Sequence, residues 1–114
     1  MKLIIAIIQP QELTPIKEAL VHKNIFRFTI SNALGQGAEI PIHEVYRGIA
    51  HDMKLLKKVR LEIAVNDEFV DQAVDAICSV ARTADGTGHG KIFVLPIEQC
   101  IRIRTGETGP EAIG

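Results

Sequence analysis

The sequence predicts an α+β domain of the ferredoxin-like kind, a βαββαβ sandwich whose antiparallel sheet carries two helices on one face. Three observations predict it. Apolar residues alternate with polar ones in some stretches and recur at helical spacing in two others. The resulting order is strand, helix, strand, strand, helix, strand. With 114 residues, 46% of them hydrophobic, the chain suits one core and has no room for a second.

Lys2 to Gln9 is a short, almost continuous apolar run rich in isoleucine, as in a strand buried on both faces, and Pro10 closes it. Leu13, Ile16, Ala19 and Leu20 then recur at helical spacing. Thr14 is the expected N-cap, Pro15 the first helical residue and Asn24 a left-handed terminus. Phe26, Phe28 and Ile30 alternate with Arg27 and Thr29, so a second strand runs to about Gly35. From Gly37 to about Lys54 neither period persists. Such a stretch exceeds the roughly 12–15 residues usual for a loop in a compact domain, and is either disordered or functional.

Val59, Leu61, Ile63 and Val65 alternate with Arg60, Glu62 and Ala64 in a third strand. Asn66 or Asp67 caps a second helix with the stripe Phe69, Val70, Ala73, Val74, Ile77 and Val80, ending near Arg82. A glycine loop, Thr83 to Gly90, leads to a fourth strand, Lys91 to Leu95, and a short fifth extended piece covers Ile101 to Arg104. Two helices cover only one side of such a sheet, and its second apolar face would form a large exposed patch. Self-association is the expected remedy, with a closed three-fold ring suiting head-to-tail packing.

A net charge of −1 argues against a sequence-independent grip on nucleic acid. The run Leu3 to Ile8 is far too short to span a bilayer and does not resemble a signal peptide, so the expected location is the cytoplasm. Cys78 and Cys100 lack metal-type spacing and read as buried thiols. The histidines at 22, 43, 51 and 89 pair with no serine or cysteine in a nucleophile setting. Glu12, Glu18, Asp67, Asp71 and Asp75 read as solvated helix positions or first-turn charges.

Gly86-Thr87-Gly88-His89-Gly90-Lys91 carries the strongest chemistry. Glycines free the backbone to turn N–H groups towards an anion, and Lys91, Arg102 and Arg104 add cations. On a strand, Arg102 and Arg104 would leave the same face about 6–7 Å apart, a separation that straddles a polyphosphate. Alone, the two arginines are equally read as edge-strand charges that deter aggregation, and the glycine loop as a tight helix-to-strand connection. The glycine pattern is neither a Walker loop nor a dinucleotide fingerprint, because it follows a helix and opens a strand. The conjunction points to a phosphate site.

Gly88-His89-Gly90-Lys91-Ile92-Phe93-Val94, followed by Ile101-Arg102-Ile103-Arg104-Thr105-Gly106-Glu107, resembles the C-terminal signature of the PII nitrogen-regulatory signal transduction proteins. The resemblance spans residues 1–114 as a single PII-like domain, with Tyr46-Arg47-Gly48 matching the Tyr-Arg-Gly of that family's long "T-loop". It implies a non-enzymatic homotrimer that binds ATP or ADP in three inter-subunit clefts and responds to 2-oxoglutarate. Its T-loop would dock on a target such as an ammonium channel or an enzyme of nitrogen metabolism, recruiting it to a membrane where the target is a channel.

By the same resemblance Gly88, His89, Gly90 and Lys91 hold phosphates, joined by Arg102 and Arg104 of the adjoining chain. Gly35, Gln36 and Gly37 line the cleft at the root of the T-loop. Phe28, Thr29, Glu62 and Ala64 surround adenine, and Ile7 is a wall. Lys58 matches an effector-contacting lysine, and Arg47 the arginine that enters a channel mouth.

Several positions depart from the pattern. Ala38-Glu39 stands where the family usually has Arg-Gln. Glu39 could still bind Mg²⁺, but its charge would repel a dianionic oxoacid. His51 stands where many members carry a uridylylated tyrosine, leaving Tyr46 as the only tyrosine. His89 replaces a common aspartate in a loop longer than usual. A second reading is therefore a divergent sensor of adenylates or another small anion that has lost 2-oxoglutarate. A third, a small phosphate hydrolase, shares the element order but finds no nucleophile or general base near the arginines.

Overall fold

The computed structural model describes residues 1–36, 55–83 and 90–114. The long loop and most of the glycine loop predicted from sequence lie outside them. Strand β1 spans Lys2–Ile8, helix α1 Leu13–His22, β2 Thr29–Gly35, β3 Leu56–Val65, α2 Val70–Thr83 and β4 Lys91–Pro96, with a one-turn helix α3 at Pro110–Ile113. The sheet order is β2-β3-β1-β4, antiparallel throughout, which is the ferredoxin-like arrangement.

Side-chain alternation sorts the strands onto two faces. Ile4, Ala6 and Ile8 of β1 and Val59, Leu61, Ile63 and Val65 of β3 are buried with Ile16 and Leu20 of α1 and Ala73, Ala76 and Ile77 of α2. Leu3, Ile5 and Ile7 point the other way and remain half-buried. The isoleucine run is thus covered on one side only within this chain, where the sequence predicts a strand buried on both.

Helix α1 begins earlier than Thr14. Pro10 opens a 3₁₀ turn, Pro10–Glu12, and the Gln9 N–H donates to the Glu12 carboxylate at 2.8 Å. This satisfies an amide before the helix start, leaving Thr14 and Pro15 inside the first turn, where a missing N–H costs nothing. Glu12 is consequently buried, at 7% exposure, and is not a solvated charge.

The far end of α1 follows the sequence closely. The Ile25 N–H reaches the Leu20 carbonyl at 3.0 Å and the Asn24 N–H that of Val21 at 2.9 Å, with Asn24 at φ 61°. That is a Schellman motif with a left-handed asparagine, sealed by apolar Leu20 and Ile25.

Two segments depart from expectation. Phe26 and Phe28 precede β2, Phe26 is 64% exposed, and β2 is an edge strand with no fully buried residue. Alternation alone could not tell an approach to a strand from the strand itself. The fifth extended piece is also absent. Only an isolated bridge joins Ile101 to Thr108, around a turn closed by Arg102 N–H to Glu107 O at 2.9 Å and Gly106 N–H to Arg102 O at 2.8 Å. Gly106, at φ +77°, supplies the left-handed residue this turn requires.

Candidate functional site

Strand register arranges the open face of the sheet in rows. Lys91 of β4, Ile7 of β1, Arg60 of β3 and Ser31 of β2 form one row. Phe93, Ile5, Glu62 and Thr29 form the next, and Leu95, Leu3 and Ala64 the third. Phe93 and Leu95 are 49% and 41% exposed, so this face is apolar and, among the described residues, uncovered. Arg60 Nε donates to Glu62 Oε1 at 2.7 Å across the middle of it. An arginine two residues before a glutamate on one strand must share its face, so that pair was readable from the alternation and was missed.

One end of the face gathers the glycine-loop side of the predicted site. Gly90 packs against β1 so closely that a β-carbon on it would lie 2.8 Å from the Ile7 carbonyl oxygen. Its neighbour Lys91 pairs with Ile7. At the same end of the sheet Gly35 closes β2, and a β-carbon there would meet Lys58 Cγ at 3.2 Å. Exposed Gln36 follows it. Lys58 and Lys91, with the Glu62-paired Arg60 between them, thus place cations towards one end of one face, with bare backbone at Gly90 and Gly35 beside them. Such an arrangement suits an anion.

The other end gathers the remainder. Thr29 and Glu62 are direct partners, Phe28 is half-buried just before them, and Ala64 is exposed on the same face. The C-terminal turn lies at this end too, because the Ile97 N–H bonds to Met1 O at 3.0 Å and Asn66 Nδ2 to Pro110 O at 3.2 Å. Five residue steps along β1 lead from Ile7 to Lys2, about 17 Å of sheet. Arg102 and Arg104 therefore do not converge with Lys91 inside one chain.

Nor do the two arginines sit on a strand. Arg102 Nη1 faces Glu107 Oε1 at 3.3 Å and Nη2 the Glu111 carbonyl at 3.2 Å, while Ile103 at the head of the turn is fully exposed. Beside this turn a cleft of about 210 Å³ is bounded by Arg27, Ala64, Asn66, Phe69 and Ile113. Asn66 Oδ1 is buried there without a partner among the described residues. No spacing in the sequence announces this cleft, since it joins three segments that are distant in the chain, around Arg27, Asn66 and Ile113.

Gly37, Gly88 and His89 of the predicted nucleotide site, Glu39, and Tyr46, Arg47 and Gly48 of the predicted partner site lie outside the described residues. Among the described residues no group of acidic, histidine or cysteine side chains could hold a metal, and no helix is long and apolar enough to cross a membrane. Cys78 and Cys100 are free and half-buried rather than buried. Asp67, at the start of the second helical segment, takes the Met1 ammonium at 2.7 Å. That hydrogen bond, the nearby Lys2 charge and the charge of the ammonium hold its carboxyl below the usual aspartate value.

Comparison with known proteins gives a consistent result. A family model described as "Nitrogen regulatory protein P-II" matches residues 1–107. The chain is 49% identical to nitrogen regulatory protein GlnK1 of Methanosarcina mazei over 114 residues, covering 99% of this chain and 97% of that one. It is 45% identical over 113 residues to nitrogen regulatory protein P-II of Cereibacter sphaeroides, covering 99% and 100%. Nitrogen regulatory protein P-II 2 of Methanothermobacter thermautotrophicus is 42% identical over 113 residues, covering 99% and 97%.

Proposed function

Because the chain belongs to the nitrogen regulatory protein P-II family, whose members are signal-transduction regulators and not enzymes, we propose that it senses adenine nucleotides in clefts between copies of itself. The observation that carries this reading is the division of the site. Gly90, Lys91, Gly35 and Lys58 lie towards one end of an uncovered apolar face, and Thr29, Glu62, Ala64 and Arg102 towards the other. Head-to-tail packing of such faces brings unlike ends together, and a closed ring of three copies makes three equal clefts while covering Leu3, Ile5, Phe93 and Leu95.

In each cleft the amides around Gly90, with Lys91 from one copy and Arg102 and Arg104 from the next, hold the phosphates of ATP or ADP. Ile7, Phe28, Thr29, Glu62 and Ala64 enclose the base. The Gly90 approach to Ile7 supports this, since any side chain there would fill the space beside the backbone amides. Gly37, Gly88 and His89 complete the set. The loop 37–54 reports the bound state to a target of nitrogen metabolism in the cytoplasm, such as an ammonium channel, through Tyr46, Arg47 and Gly48.

Calorimetry with ATP, ADP and AMP, with and without Mg²⁺, tests the proposal beside a solution mass. Binding at one nucleotide per chain to a particle of three chains is expected. A monomer, or no heat at millimolar nucleotide, refutes it.

A second reading is favoured by Ala38 and Glu39: the cleft is kept, Glu39 contributes to Mg²⁺, and 2-oxoglutarate is lost. The Glu39 carboxylate repels a dianion that Lys58 would otherwise attract. Titration of 2-oxoglutarate into the Mg-ATP complex decides, and tight uptake removes this reading.

A further inference from the structure

Arg102 already has partners in this chain. Two of its five N–H donors are engaged, Nη1 by Glu107 Oε1 at 3.3 Å and Nη2 by the Glu111 carbonyl at 3.2 Å. Glu107 is itself fixed, its Oε1 accepting from the Thr105 hydroxyl at 3.0 Å and its N–H donating to that hydroxyl at 3.3 Å. The segment bearing Glu111 is tied down from the other side by Asn66 Nδ2 to Pro110 O at 3.2 Å. Gly114 then lies between two guanidinium groups, for a β-carbon on it would sit 2.9 Å from Arg27 Nη1 and 3.6 Å from Arg102 Nη2. Ile113 and Gly114 line the 210 Å³ cleft together with Ala64.

We propose that the segment Gly109–Gly114 is a built-in competitor of the nucleotide, holding Arg102 through the Glu111 carbonyl until an incoming phosphate displaces it. This rests on the nucleotide reading above. A phosphate carries full negative charge and can accept from guanidinium in a bidentate fork, whereas the carbonyl offers one dipolar oxygen, so the exchange favours the ligand once it arrives. What then holds the segment is the Gly109 N–H bond to the Cys100 carbonyl at 3.0 Å at its root, with the Asn66–Pro110 bond and half-buried Ile113 beyond it. Coupling is reciprocal. Whatever strengthens the grip weakens nucleotide binding, and bound nucleotide loosens the segment.

The full chain carrying Asn66→Ala tests this, since the Asn66 side chain makes no capping bond to its helix and its loss should free the segment while leaving Arg102 in place. ATP should bind about 2- to 3-fold more tightly, and a chain lacking residues 110–114 about 5- to 10-fold more tightly, both at unchanged solution mass. In the unmodified chain, amide exchange over residues 111–113 should quicken when ATP is added. Unchanged or weaker ATP binding by Asn66→Ala, with no quickening of exchange, overturns the proposal and makes the segment a wall of the site. Failure of every form, the unmodified chain included, to bind ATP refutes the nucleotide reading itself and this inference with it.

Discussion

The Gly90 backbone approaches Ile7 so closely that the nearest possible side-chain atom would stand 2.8 Å from the Ile7 carbonyl oxygen. The contact is backbone against backbone, so no rotamer change relieves it. It also sets where the glycine loop meets β1, beside Lys91.

Gly90→Ala is expected to push this loop end off β1. Nucleotide binding should weaken about 10-fold or more, since phosphate donors misplaced by a few tenths of an ångström lose their alignment. Calorimetry checks it, with solution mass showing that the assembly is kept.

Leu61 is fully buried at the centre of β3, the strand flanked by both β1 and β2. Leu61→Ala should lower stability by about 2–5 kcal/mol through lost transfer energy and the cavity left behind. Urea unfolding at fixed protein concentration measures it. Ile30→Ala on the edge strand, where the side chain is already 38% exposed, should cost well under half as much.

Asn24 occupies the left-handed position of the Schellman motif. Asn24→Gly should be neutral or slightly stabilising, and Asn24→Val should destabilise by about 1–2 kcal/mol, because a β-branched residue resists positive φ. Thermal melts of the two variants should move apart, and identical melts would mean that the motif contributes nothing.

Asn24 was legible because its signal is local: a helix ends, and one residue type tolerates the turn. β3 was legible for a similar reason, since Val59, Leu61, Ile63 and Val65 state their period within seven residues. The misread positions depend on distant partners. Glu12 is buried by the turn it helps to form, and Phe26 lies outside a strand whose start is set by the pairing of Thr29 with Glu62. Arg102 and Arg104 match a strand pattern, yet their backbone closes a turn against Glu107. Half of the candidate site was visible as a motif at Gly90 and Lys91. Its separation from Arg102 by the length of the sheet was not, because register is a property of pairing and not of spacing.

Asp67 gives a pH test. Its folded value lies below that of an unfolded aspartate, so its ion pair stabilises the fold above the unfolded value, about 3.9, and is lost as pH falls through the lower folded value. Asp67→Asn should therefore melt below the unmodified chain at pH 6, and the two melts should converge as the pH is lowered beneath about 3.9. Since the carboxylate is exposed, the difference should also shrink in high salt. A gap that persisted in acid would assign the effect to helix capping by the side chain instead.

Lys91→Ala and Arg102→Ala together test how the site is divided. Each change should weaken nucleotide binding by about 10- to 100-fold, because a phosphate would lose a charge-assisted partner. If each cleft takes Lys91 from one copy and Arg102 from the next, trimers mixed from the two variants regain one intact cleft wherever an Arg102→Ala copy presents its Lys91 to a Lys91→Ala copy. Random mixing of equal amounts makes about three-quarters of the trimers mixed, each with one intact cleft of three, so roughly a quarter of all clefts recover full affinity. Co-refolding the variants and titrating ATP reads that fraction directly. Were Lys91 and Arg102 to act within one chain, every cleft in every mixture would still lack one of them, and no tight fraction would return.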